Sequence, residues 1–139
     1  AGFTGLPTRG GSTVTLTGED FGSSERFDGA DNNPSAEALK VTYGATGTEY
    51  EALNCSMTVE HKKIVCVTAP GVGTNLRFRV QHTGVASKLS AGTISYLAPH
   101  VSGVQADYGV ADPTGFGTAG GEAVTLTGAN FGPSGTHVE

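Results

Sequence analysis

The chain has 139 residues, which is enough to bury one hydrophobic core and part of a second. Its formal net charge of -5 argues against a nucleic-acid-binding protein, because such proteins need a basic face. A high glycine content of 22 residues, only 15% charged residues and no Trp are typical of strands and turns, and no window has the apolar spacing of a helix or the length of a membrane span.

In chain order, residues 4–11 are predicted to be a loop and residues 12–17 the first strand, where Val14 and Leu16 alternate with Thr. Residues 19–35 form a long polar loop. Its Asp and Asn side chains are oxygen donors of the kind calcium prefers, but they lack the spacing and the distal Glu of an EF-hand loop. We expect a solvated turn there, with no metal and no other cofactor.

Further strands are predicted at 37–43, 48–57, 63–68, 75–82 and 92–97, with a short additional piece at 85–90. This spacing indicates an all-β, two-sheet antiparallel sandwich. Arg77 and Arg79 alternate with apolar residues, so both should point outward, onto a solvated sheet face in preference to a ligand contact. The residues expected to point inward are Leu39, Val41, Tyr43, Leu53, Ile64, Cys66, Leu76, Phe78, Val80, Ile94 and Tyr96.

The two cysteines are predicted to form a disulfide. If Glu60 and His61 form the turn of a hairpin, Cys55 and Cys66 lie directly opposite each other, at a separation that a disulfide accepts. Closing this loop would stabilise the fold by roughly 2 to 3 kcal/mol in the chain-entropy model. The alternative is a pair of buried free thiols.

The sequence Asn54-Cys55-Ser56 is an N-glycosylation acceptor pattern. Alternation places Asn54 on the face opposite Leu53, Cys55 and Met57, so a glycan there would point away from the core. No signal peptide is visible at Ala1, which suggests either a removed leader or a segment of a longer protein. The disulfide and the acceptor pattern together favour an extracellular or cell-surface protein.

A sequence motif near the start of the chain recurs near its end. Residues 4–22 match residues 114–132 at twelve of nineteen positions, at a constant offset of 110. This period is close to the length of a whole domain. We therefore expect one nearly complete domain in residues 1–98, followed in residues 99–139 by a linker and the first strands of a second domain.

The run Gly10-Gly11-x-x-Val14-Thr15-Leu16-Thr17-Gly18-x-x-Phe21-Gly22 resembles the opening of an IPT/TIG domain, an immunoglobulin-like module. Residues 66–73 and 95–101 resemble the middle and end signatures of that family. The resemblance implies an immunoglobulin-like sandwich, and it implies that such domains occur in tandem arrays. It implies the fold far more than the function.

In the family pattern, residues 99–104 resemble the first strand of a following domain, and the equivalent strand of the leading domain would precede Ala1. A sandwich without that strand has an open apolar groove that a free strand can fill. The hypothesis is a secreted subunit that assembles head to tail with other copies of itself, or with adjacent repeats, into a filament. The candidate assembly residues are Pro99, His100, Val101, Ser102, Gly103, Val104, Gln105, Val124 and Leu126. The alternative is an adhesion or receptor module from a tandem array.

No catalytic constellation is present in the sequence, so an enzyme is not expected. The four histidines, His61, His82, His100 and His137, show no metal-ligand spacing. Tyr50 and Tyr108 could stack on sugar rings, which makes glycans a further candidate partner, although packing is the simpler role for both.

Overall fold

The computed structural model describes residues 2–22, 39–82, 84–106 and 117–135. Within these ranges the chain forms eleven β-strands and no helix. In chain order they are β1 (Phe3–Leu6), β2 (Thr13–Thr17), β3 (Lys40–Gly44), β4 (Tyr50–Glu51), β5 (Leu53–Val59), β6 (Lys63–Val67), β7 (Leu76–His82), β8 (Val85–Ala86), β9 (Thr93–Tyr96), β10 (His100–Ala106) and β11 (Val124–Ala129). The predicted polar loop lies largely outside the described residues, as do Tyr108 and His137.

The first nine strands form the two sheets of an all-β sandwich. One sheet has the order β1-β9-β7-β3-β4, with β8 also pairing with β7, and the other has the order β2-β6-β5. Inward-pointing apolar side chains alternate with outward polar ones, as in Leu76, Phe78 and Val80 of β7. The buried apolar core consists of Val14, Val41, Tyr43, Ala52, Ile64, Cys66, Leu76, Phe78, Val80, Ile94 and Tyr96.

The loop prediction was wrong for the first residues of the chain. Residues Phe3–Leu6 form β1, which pairs in parallel with β9, Phe3 opposite Ile94 and Leu6 opposite Tyr96. Gly5 has a positive φ of 78°, and the ladder is irregular between its two ends. The strand therefore carries little of the alternation that predicts strands from sequence.

The inward placement of Leu53 was also wrong. The predicted strand 48–57 is divided at Ala52, whose side chain is buried, and Leu53 is 47% exposed. The ladder between β5 and β6 is irregular from Leu53 to Ser56, and Asn54 has a positive φ of 49°. This bulge shifts the alternation by one residue, so Ala52 takes the inward position in place of Leu53.

Two buried tyrosines and the half-buried Ala69, at one end of the sandwich, form a closed ring of hydrogen bonds. The Ala69 N–H donates to the Tyr43 hydroxyl (2.9 Å), the Tyr43 and Tyr96 hydroxyls lie 2.7 Å apart, and the Tyr96 hydroxyl donates to the Ala69 carbonyl (2.6 Å). Burial raises the pKa of the Tyr43 and Tyr96 phenols above its usual value. The ring ties β3 and β9 of one sheet to the loop at residues 68–73, which follows β6 of the other sheet.

Tyr50 also forms hydrogen bonds to the loop at residues 68–73. Its hydroxyl donates to the Val72 carbonyl (2.9 Å) and accepts from the Val72 N–H (3.1 Å), and its ring stacks 5.3 Å from that of Tyr43. The side chain is half-buried. Packing, the role that the sequence favoured for Tyr50 over stacking on sugar, is therefore the role that these contacts support.

Candidate assembly site

The edge strand β2 has a partner on one side only among the described strands. It pairs with β6, and no described strand lies along its other edge. The Gly18 N–H donates to the Lys62 carbonyl (2.9 Å) and the Thr68 N–H to the Ser12 carbonyl (2.9 Å), so the even-numbered residues bond to β6. By alternation, the backbone N–H and C=O groups of residues 13, 15 and 17 point to the open edge.

A cavity of about 460 Å³ lies beside this open edge, between the two sheets. Val14 and Leu16 of β2 form one wall, and Phe78, Val80 and Ile94 of the facing sheet form the floor. Most of these side chains are buried, but Leu16 is only half-buried because no described strand covers it on this side. We call this cavity the β2 groove.

The far wall of the β2 groove is the segment 87–93, which two serines attach to β7. Ser87 donates its N–H to the Val80 carbonyl (2.7 Å) and accepts the Val80 N–H on its hydroxyl (3.0 Å). Ser90 does the same with Phe78, at 2.9 Å for each bond. These four bonds satisfy the Phe78 and Val80 backbone groups on the edge of β7 away from β3, between its pairings with β8 and β9, and they fix the wall of the groove.

The C-terminal strands form a separate antiparallel ribbon of β10 and β11, here called the C-terminal ribbon. Residue 102 is an extra residue in β10, because Val101 lies opposite Gly128 whereas Gly103 lies opposite Thr127. This bulge places Val101 and Val104 on one face, the face of Val124 and Leu126. The exposed fractions on this face are 47% for Val101, 65% for Val104, 46% for Val124 and 52% for Leu126.

The two copies of the sequence motif share an unusual backbone. Gly10 and Gly120, which are related by the offset of 110, have φ values of 75° and 71°. Asp20 and Asn130 have φ values of 58° and 63°, a region that residues other than Gly rarely adopt. Strand β11 is therefore the local structural counterpart of β2.

The structure joins Cys55 and Cys66 in a disulfide with a Cα–Cα distance of 4.1 Å, the pairing that the hairpin register indicated. Cys66 is fully buried, and Cys55 is partly buried. The bond indicates that the protein resides in an oxidising compartment. Asn54, beside it, is solvent-exposed.

Charged groups are sparse around the β2 groove, where Glu19 and Lys88 are the charged residues of the lining. On the outer face of the sheet that contains β7, Arg77 is exposed and Arg79 is half-buried. In the loop between β3 and β4, the Thr46 N–H donates a hydrogen bond to the Glu49 carboxylate and lowers the pKa of Glu49 to about 2.

His61 lies in the β5–β6 turn, and His82 and His100 lie at strand ends, as their sequence positions predicted. In the part of the chain that the structure describes, His, Cys, Asp and Glu side chains do not gather into a group that could hold a metal ion. No helix in the same ranges has the length and hydropathy to cross a membrane.

The sequence led us to predict assembly strands in β10 and β11, which stays a prediction, but it did not reveal the role of Ser87 and Ser90. Ser87 and Ser90 are three residues apart, which does not match the two-residue alternation of a strand. In the structure they lie outside the short strand Val85–Ala86. The available signal was the pair of inward-pointing residues Phe78 and Val80 in β7, because their backbone groups need partners that the short strands β8 and β9 do not supply.

The family model described as IPT/TIG domain matches residues 4–96, which is more than half of the chain. No solved structure matches the chain.

Proposed function

The chain belongs to the IPT/TIG domain family, and from this premise we propose that it is an extracellular structural subunit that assembles head to tail by β-strand complementation. In this proposal residues 1–98 are an immunoglobulin-like domain that accepts a strand. Residues 99–139 open a second domain of the same kind and supply that strand to a neighbouring copy, so that repetition of the contact produces a filament.

The observation that carries the proposal is the coexistence of an open groove and an exposed apolar strand in one chain. The β2 groove has apolar walls and an unpaired strand edge among the described residues. The C-terminal ribbon has an apolar face that no other described element covers, including Val104 at 65% exposure. An edge strand and a free strand of suitable pattern attract each other through backbone hydrogen bonds and apolar burial.

The energetics favour a weak, concentration-dependent contact. Complete burial of a valine is worth about 1.5 to 3 kcal/mol, so Val101 and Val104, both partly exposed, would together contribute about 2 to 3 kcal/mol. Backbone hydrogen bonds to residues 13, 15 and 17 would replace the bonds that β10 makes with β11, so apolar burial is the main net gain. Association costs at least about 4 kcal/mol, so the balance favours assembly only at high local concentration.

Sedimentation velocity over a range of concentrations, with electron microscopy of the concentrated samples, tests the proposal. We expect the intact chain to form concentration-dependent oligomers or filaments. The double variant Val101→Asp/Val104→Asp should remain monomeric, because it would bring charge into an apolar groove. Gln105→Asp is the matched control, since it adds charge on the opposite face of β10 and should assemble. Normal assembly of the double variant, or a wild-type chain that stays monomeric, would contradict the proposal.

A second candidate function is an adhesion or receptor module in a covalent tandem array. It is favoured by the pairing of β10 with β11 of the same chain and by the shared backbone of the two motif copies. In such an array each linker strand would complete the next repeat of its own chain. This alternative predicts that a longer tandem fragment is a monodisperse monomer and that Val101→Asp/Val104→Asp destabilises it without changing its oligomeric state.

We also propose that Asn54 carries an N-linked glycan when the protein is made in a eukaryotic secretory pathway. Support comes from the acceptor pattern and from the exposure of Asn54. Peptide-N-glycosidase treatment should lower the mass of protein secreted from eukaryotic cells, and Asn54→Gln should abolish that shift. An unchanged mass for the wild-type protein would refute the assignment.

A further inference from the structure

We propose a specific register for the contact: β10 of one copy lies antiparallel along β2 of another, with Val104 opposite Leu16 and Gln105 opposite Thr15. This inference rests on the proposed function, and it deepens it by specifying which atoms of the two copies meet. It commits to a second copy of this chain as the occupant of the β2 groove.

The register follows from the ladder that β10 already forms. In the C-terminal ribbon, Val104 lies opposite Leu126 and Gln105 opposite Thr125. Residues 126 and 125 correspond to Leu16 and Thr15 at the offset of 110. Because β2 and β11 share sequence and flanking backbone angles, an edge of β2 presents to β10 the same pattern of groups that β11 presents.

The faces of the two strands agree with this register. Of the β2 residues that line the groove, Val14 is buried and Leu16 half-buried, whereas Thr15 is exposed. Directly opposed residues in an antiparallel pair point to the same side, so Val104 would enter the groove and Gln105 would face solvent. A shift of the register by one residue would turn the Val104 side chain to solvent and place Gln105 in the apolar groove.

The bulge at Ser102 extends the match to a second valine. In the ribbon, Val101 lies opposite Gly128, which corresponds to Gly18. A Cβ added at Gly18 would lie 2.5 Å from the Phe21 ring, so the ring lies directly over this glycine. Val101 of the neighbouring copy would therefore pack beside the Phe21 ring at the end of the groove.

The groove has room for these side chains. A cavity of about 150 Å³ accepts a benzene molecule, and the β2 groove measures about 460 Å³. Several aliphatic side chains of one strand can therefore enter without displacing Phe78 or Ile94. The far wall is fixed by Ser87 and Ser90, so the groove is formed before a strand arrives.

Release of β10 from its own ribbon does not oppose the exchange strongly. An isolated two-stranded ribbon is marginally stable in water, and both faces of this ribbon are largely exposed. Exchange replaces one antiparallel ladder with another of the same register, and it moves Val104 from solvent into an apolar groove. The net change is apolar burial.

Disulfide trapping between two variants tests the register. One chain carries Thr15→Cys and the other Gln105→Cys, and an equimolar mixture of the intact chains is oxidised at a concentration where the wild-type chain assembles. The native Cys55–Cys66 bond leaves no free thiol in the described residues to compete. Thr13→Cys and Thr17→Cys are matched controls, because they lie on the same outer face of β2 at about 7 Å from residue 15.

We expect the Thr15→Cys mixture to give at least tenfold more cross-linked dimer than either control mixture. If the chain assembles but Thr13→Cys or Thr17→Cys gives the dominant cross-link, the register is wrong and strand complementation survives. Equal yields from all three would also refute the register. If the chain does not assemble, both the register and the proposed function are wrong.

Discussion

Leu16 and Leu126 occupy equivalent positions in the two copies of the motif, but Leu16 is half-buried between two sheets whereas Leu126 is 52% exposed. The difference arises from their neighbours. Strand β2 has β6 beside it and a second sheet behind it, and β11 has only β10 among the described strands. The same sequence therefore has a stabilising role in one copy and an available apolar surface in the other.

Alanine substitutions at these two positions should separate the roles. Leu16→Ala should lower the free energy of unfolding by about 1 to 2 kcal/mol, less than a fully buried leucine, because Leu16 is only half-buried. Leu126→Ala should change it by less than about 0.5 kcal/mol. Denaturant unfolding of the monomer measures both values, and equal losses would contradict the assigned burial.

Gly10 and Gly120 provide a second matched pair. A Cβ at Gly10 would lie 2.6 Å from the Ala69 carbonyl carbon, whereas a Cβ at Gly120 would meet nothing within 4 Å. Since φ is positive at both, each alanine variant has backbone strain of about 1 kcal/mol, and Gly10→Ala adds a backbone clash for a total loss of about 3 kcal/mol or more. Thermal unfolding should show a clearly larger decrease in Tm for Gly10→Ala than for Gly120→Ala, and equal decreases would contradict the clash at Gly10.

The buried tyrosines should make the fold sensitive to alkaline pH. Burial raises the folded-state pKa of Tyr43 and Tyr96. Near pH 10 the two phenols therefore ionise in the unfolded chain but stay protonated in the folded chain. Their contribution to stability is complete below pH 10 and is lost as the pH rises further, at about 1.4 kcal/mol per pH unit for each group. Tyr43→Phe/Tyr96→Phe should weaken this dependence in denaturant unfolding between pH 9 and 11. An unchanged slope would show that the two phenols ionise freely in the folded state.

Tyr43→Phe alone should also lower stability at neutral pH. It removes the acceptor of the Ala69 N–H, and an unsatisfied buried donor costs about 1 to 3 kcal/mol.

Glu49 should contribute to stability against acid. Hydrogen bonds from the Thr46 N–H and hydroxyl and from the Thr48 N–H stabilise its charged form, and its folded-state pKa is lowered to about 2. The contribution is present above the unfolded pKa and is lost as the pH falls from about 5 towards 2. Unfolding of Glu49→Gln should therefore change less with pH over this range than unfolding of the wild-type chain. Parallel pH profiles would refute the role, and Glu51→Gln controls for loss of an exposed carboxylate in the adjacent strand.

The sequence was sufficient to predict most of the sandwich because its strands alternate strongly. Leu76, Phe78 and Val80 point inward as expected, and Cys55 and Cys66 form the predicted disulfide beside the pairs Ser56–Val65 and Met57–Ile64, which keep the expected hairpin register. Local periodicity and turn residues carry this information directly.

The errors arose where distant contacts decide the structure. Strand β1 exists because Phe3–Leu6 pairs with β9, about ninety residues away, and Phe3 itself is 60% exposed. Leu53 points outward because a bulge at Asn54 interrupts the alternation. The β2 groove could be anticipated as an open edge, but its far wall depends on hydrogen bonds from Ser87 and Ser90 that leave no periodic signal in the sequence.

Hydrogen–deuterium exchange at β2 tests strand complementation most directly, because the backbone N–H groups of residues 13, 15 and 17 point to the open edge. We predict that deuterium uptake in a peptide covering Thr13–Thr17 slows at least tenfold as the intact chain is concentrated through its assembly range, and that it stays fast in Val101→Asp/Val104→Asp at every concentration. Assembled material in which these N–H groups exchange as rapidly as in the monomer would show that the copies associate through another surface, and it would contradict strand complementation at β2.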